Sequence, residues 1–206
     1  MSQANPTMAG HQTVLVEPSP FAIPSKKLAM WLFIMADVMT FSACMAAYAF
    51  TRNATPDWPR PFHGVAGVAA MTFIMLTSCL TLLIGLRAAQ LGDRGRAFSW
   101  TMLTVLGGLI FTLLHIREWA AMIHQGVSVF HNPWGTAAFG ASYFVLTGFS
   151  LLHMSAGTVA LAIVGLRYRG GRYQANDLEV MNLYWQFVNL VWLFIVPAIY
   201  LMNLAP

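Results

Sequence analysis

The 206-residue chain is 58% hydrophobic and only 9% charged, against about 25% charged residues in an ordinary soluble domain. Its formal charge is +4, with 11 Lys and Arg against 7 Asp and Glu, yet no basic patch is interleaved with aromatics as a nucleic-acid surface would need. A soluble enzyme and a nucleic-acid-binding domain are thereby excluded, and an integral membrane protein is expected.

Residues 1–27 read as an irregular cytoplasmic tail. Pro6, Pro18, Pro20 and Pro24 punctuate it, and it holds no apolar run of signal-peptide length. The rest, 28–206, reads as an all-α integral membrane protein: a single bundle of five transmembrane helices at about 28–50, 63–86, 97–122, 136–166 and 178–203. Each segment meets the roughly 20 residues a spanning helix needs. With the N-terminus inside, eight of the eleven basic residues fall on the inner side, two in the outer loops and one at a helix end. That bias predicts a cytoplasmic N-terminus and an exoplasmic C-terminus.

The first span carries Asp37 in "LFIMADVMTFSAC". By helical rise it lies about 14 Å from the inner end, near mid-bilayer. A carboxyl there is costly. It is either a protonated group that ties helices together or a group that accepts a proton. Cys44, on the same span, and Cys79, on the second, differ in depth by about 14 Å and are not expected to pair.

The third span holds His115 and Glu118 on one face near its outer end, in "FTLLHIREW". Glu118 beside Arg117 reads most simply as an interfacial charge. The fourth places Ser150, His153 and Gly157 on one face, in "FSLLHMSAG". In the fifth, Asn182, Gln186 and Asn189 fall at i, i+4 and i+7 on one stripe, flanked by Trp185 and Trp192. Gln186 and Asn189 sit about 12 and 17 Å from the inner end, the depth of Asp37. A shared polar cluster of Asp37 with these amides is expected between the first and fifth spans.

These stretches together resemble subunit III of the haem–copper terminal oxidases, the cytochrome c oxidase and quinol oxidase group, in a five-helix form. "YWQFVNLVWLF", 184–194, is similar to the family's YWHFVDVVWLF, with Glu179 at the acidic position five before the Tyr. "TGFSLLHMSAG" resembles TGFHGLHVxxG, so His153 falls on the second family histidine and Ser150 on the first. "FTLLHIREW" resembles FTLLQxxEY, placing Glu118 on the family glutamate. "LFIMADVMTF" resembles LFIxSEVMxF, placing Asp37 on the buried carboxylate. Three ionisable family positions are neutral here: Ser150, Gln186 and Asn189.

The resemblance implies a non-catalytic subunit with no metal, cofactor or catalytic residue of its own. It would pack against a catalytic subunit I that carries haem and copper, hold structural phospholipids, and assist proton uptake. Asp37 would be its candidate proton relay. Tyr184, Trp185 and Trp192 would touch lipid or a partner, Trp185 and Trp192 offering their N–H groups to a lipid or a neighbouring helix. The location implied is the bacterial inner membrane. Three alternatives stand beside this reading: a subunit-III-like partner of a nitric oxide reductase, a quinol-oxidising module with one b-type haem on His115 and His153, and a small transporter built on Asp37.

Overall fold

A computed structural model of the chain describes residues 24–205. Five long helices follow one another: α1 (Ser25–Ala54), α2 (Ala66–Gln90), α3 (Arg94–His124), α4 (Ala137–Arg169) and α5 (Ala175–Ile195). All five, α5 taken with the turns that extend it, are long and apolar enough to cross a membrane. The tail expected over 1–27 falls mostly outside the described residues, but its last three residues, Ser25 to Lys27, already belong to α1.

Each helix runs a few residues past its apolar stretch at one or both ends, and polar side chains cap the starts of α3, α4 and α5. Asp93 accepts the Arg96 N–H at 2.9 Å at the start of α3. Thr136 accepts the Ala138 N–H at 3.2 Å before α4. Gln174 and Asp177 form a reciprocal capping box on α5, with the Gln174 N–H donated to Asp177 Oδ2 at 2.9 Å. These side chains satisfy donors that the first helical turn cannot pair within itself. Gly92, with φ of 79°, and Gly171, with φ of 75°, close the ends of α2 and α4 in the left-handed conformation glycine adopts at little cost.

Beyond Ile195 the helix widens into a π turn over Val196–Tyr200 and then tightens into a 3₁₀ turn over Leu201–Asn203. Pro197 stands at the start of the wide turn. It has no N–H to continue the α-helical ladder, and a changed hydrogen-bond register accommodates it.

Helices α2, α3 and α4 pack as successive antiparallel neighbours, while α5 sits against α1, α2 and α4. The first helix docks chiefly on α4 and α5. It runs parallel to α5: Lys26 pairs with Asp177 at one end, and Arg52 donates to the Met202 carbonyl at the other, 2.8 Å away. The largest side chains of the core, Trp185, Trp192, Tyr143 and Phe111, are completely enclosed. In lipid, such a core is held by close packing and interhelical hydrogen bonds rather than by exclusion of water. Where Trp185 crosses α3, a Cβ on Gly108 would collide with its ring and with Thr158 Oγ1, so only glycine lets these helices approach.

Candidate functional site

The buried residues of α1 are Ile34, Asp37, Phe41 and Tyr48, a single stripe at helical spacing. That stripe turns Asp37 toward α4. Its Oδ2 lies 2.9 Å from Nε2 of His153, and both residues are less than a tenth exposed. Nδ1 of the same ring lies 2.8 Å from the Phe149 carbonyl, one turn back. A carbonyl can only accept, so Nδ1 carries a proton. Nε2 is the ring nitrogen that faces the Asp37 carboxyl. An ionisable group at this depth is tolerated chiefly beside a partner of this kind. The Asp37 oxygen sits off the ring's hydrogen-bonding direction, and it makes no aligned hydrogen bond; the contact is electrostatic.

Aromatic rings wall the pair in. Phe149 and Phe41 lie 4.5 and 5.5 Å from the His153 ring, centroid to centroid. Tyr184 of α5 donates to the His153 backbone carbonyl at 2.9 Å. It can do so because α4 has Gly157 at the crossing: a Cβ there would lie 2.7 Å from the tyrosine ring. Beside the pair, an apolar groove of about 340 Å³ separates α1 from α5, lined by Phe41, Met45, Phe187 and Leu190 among others.

The expected cluster of Asp37 with the α5 amides does not form. Asn189 turns its Nδ2 back to the Trp185 carbonyl at 2.8 Å, and Gln186 reaches only Asn182, at 3.5 Å. Helical rise says nothing about azimuth, and the acid's partner comes from α4. Ser150 is buried with its hydroxyl unpaired.

A lipid or partner contact at Trp185 and Trp192 is also not met. Both are completely buried and give their N–H groups to hydroxyls of α2: Trp185 to Ser78 at 3.0 Å and Trp192 to Thr72 at 3.1 Å. Of the two roles expected for these indole donors, the neighbouring helix is the one realised. Tyr184 is likewise buried.

Glu118 is more than an interfacial charge. It accepts a hydrogen bond from Tyr200 at 3.2 Å and so holds the wide turn after α5 against α3. Glu179 pairs with Lys27 at 2.6 Å, tying α5 to α1 at the basic end of the bundle. Sequence reasoning singled out neither Lys27 nor Ser78, because their partners are more than a hundred residues away.

His153 turns Nδ1 to the Phe149 carbonyl and Nε2 to Asp37, not toward His115. His115 lies in a different packing environment, wedged among Phe111, Trp119 and Trp192. Among the described residues no three His, Cys, Asp or Glu side chains converge on one point. Cys44 and Cys79 are both free.

The site is thus a buried Asp37–His153 pair, walled by aromatics and bordered by an apolar groove. Comparison with known proteins matches residues 4–204 to the family described as cytochrome c oxidase subunit III. The chain is 31% identical to quinol oxidase subunit 3 of Bacillus spizizenii, with 86% of this chain and 87% of that protein aligned. It is 30% identical to cytochrome c oxidase subunit 3 of Corynebacterium diphtheriae, over 82% of this chain and 84% of the relative. It is also 30% identical to the cytochrome bo(3) ubiquinol oxidase subunit 3 of Pseudomonas aeruginosa, over 84% and 83%. With the match running through all five helices, the chain belongs to the cytochrome c oxidase subunit III family.

Proposed function

We propose that this protein is the accessory third subunit of a haem–copper respiratory oxidase in the bacterial inner membrane. It packs against and stabilises a catalytic subunit I, which carries the haem and copper. The observation that carries this reading is the family match across residues 4–204, which takes in the whole five-helix bundle. The orientation set by the basic residues places the Lys26 end in the cytoplasm.

Within that role the Asp37–His153 pair is the candidate proton relay near mid-bilayer. A carboxyl beside an imidazole offers a passing proton two adjoining sites, which suits a proton-uptake assistant better than a lone carboxyl does. The groove between α1 and α5 has the width and apolarity for a structural phospholipid chain or a partner's side chains. The electron donor, quinol or cytochrome c, is a property of the other subunits, and relatives of both kinds align equally well.

The test is Asp37→Asn in the assembled oxidase. The amide keeps a polar contact to His153 and removes the carboxyl that could carry a proton. The complex should assemble normally, turn over more slowly and inactivate sooner during sustained turnover. Turnover and lifetime equal to wild type across the pH range would reduce Asp37 to a structural role.

A further inference from the structure

Helices α2 and α3 leave a furrow between them on the outer side of the bundle. Toward mid-bilayer it is a cavity of about 190 Å³, walled by Phe73, Ile74, Thr77, Leu103, Leu106 and Ile110. Its wall is apolar in effect, because the Thr77 hydroxyl is spent on the Phe73 carbonyl at 2.8 Å. Toward the α2–α3 turn lies a larger recess of about 500 Å³ on the same two helices, bordered by Ile84, Arg87, Asp93, Arg96 and Trp100. The α2 wall from Ile84 to Phe73 rises about 16 Å at the α-helical repeat. That is about half of a 30 Å hydrocarbon core, the depth of one leaflet.

The recess also has the right charge. Asp93 is engaged by Arg96, through its backbone N–H at 2.9 Å and its Nε at 3.4 Å. Arg87, in the last turn of α2, has no carboxylate within ion-pair distance among the described residues. Two guanidiniums and one carboxylate leave the recess with one net positive charge. Trp100, half-buried at its edge, is the side chain that membrane–water interfaces favour.

We propose that this furrow seats one anionic glycerophospholipid. Its phosphate lies against Arg87 and Arg96, and one acyl chain runs along the trough toward Phe73 and Ile110. A net-neutral headgroup would leave the positive charge unmatched; a phosphatidylglycerol-type headgroup matches it. The inference rests on the reading that this subunit carries structural phospholipid, and it says where and of what class. The site lies on α2 and α3, away from the groove between α1 and α5.

The experiment uses the intact purified oxidase. Bound lipids are counted by native mass spectrometry after mild delipidation and again after titration with phosphatidylglycerol or phosphatidylethanolamine. Arg87→Gln should weaken phosphatidylglycerol retention about fivefold, and Arg87→Gln with Arg96→Gln about 30-fold, from about 1 kcal/mol per basic residue near the headgroups. Thr77→Phe, which fills the trough at an exposed position without touching a charge, should expel the same lipid while the complex stays assembled. Equal retention in wild type and variants, with lipid still present elsewhere in the complex, overturns the site and leaves the lipid-carrying role standing. Equal affinity for phosphatidylethanolamine overturns the anionic class. A cross-link from Thr77→Cys to a helix of another subunit assigns the furrow to protein contact and overturns the proposal. A wild-type complex with no retained phospholipid at all removes the lipid-carrying role itself.

Discussion

Removing either member of the Asp37–His153 pair should cost more than removing both. Asp37→Ala leaves the buried Nε2 without a partner, an expected loss of about 1–3 kcal/mol. Asp37→Asn should cost less, because its amide can accept from or donate to the ring. In the cycle of Asp37→Asn, His153→Gln and the double variant, a coupling of about 0.5–3 kcal/mol is expected. The readout is the midpoint temperature at which the subunit leaves the oxidase; additive effects would mean that the two side chains act independently. Asp37 could be singled out from sequence because a carboxyl amid apolar residues stands alone. Its partner could not. His153 lies 116 positions further along the chain, and one sequence fixes depth along a helix but not which way the helix turns. The family motif marked both residues without linking them.

At the scale of helices, Trp185 is the principal crossing point. It fills the space above Gly108 and binds Ser78 on α2. Trp185→Phe keeps most of the packing and orphans the Ser78 contact, for a loss of about 1 kcal/mol. Trp185→Ala opens a cavity and should cost about 3 kcal/mol, the lower end of what large-to-small core changes produce, since hydrocarbon rather than water surrounds the bundle. Gly108→Val should be worse than either, because two helices must separate to admit it; the expected result is loss of the subunit from purified complexes. Detergent melting of the subunit in its complex ranks the three. The number and order of the helices were readable from apolar run length alone. Their ends were not: α3 and α5 start three residues before the apolar stretch, capped by Asp93 and Gln174. The burial of the indoles was half readable: tryptophans beside amides announce a polar contact, but lipid, partner and neighbouring helix all look alike until α2 is placed.

For the whole molecule, the fold class and family followed from composition and from four spaced motifs, whereas the neighbour relations of the helices needed coordinates. The charge bias still makes a checkable statement about topology. In a variant lacking Cys44 and Cys79, a single cysteine at Asp57 should react with a membrane-impermeant maleimide added to intact cells, and one at Gln90 should react only after the membrane is opened. The reverse pattern would invert the bundle. The parallel contact of α1 with α5 bears on biogenesis. Tyr48 donates to the Ala198 carbonyl at 2.7 Å, and Asn203 donates to Tyr48 at 2.9 Å; Phe62 pairs with the backbone on both sides of Leu204. Asp37 has no partner until α4 supplies His153, and the far end of α1 has none until the turns beyond Pro197 are in place. A polypeptide stopped short of Pro197 would therefore cover its aspartate yet leave the Tyr48 hydroxyl and the Arg52 guanidinium unmoored, fastening the opening helix at its middle and not at its tip.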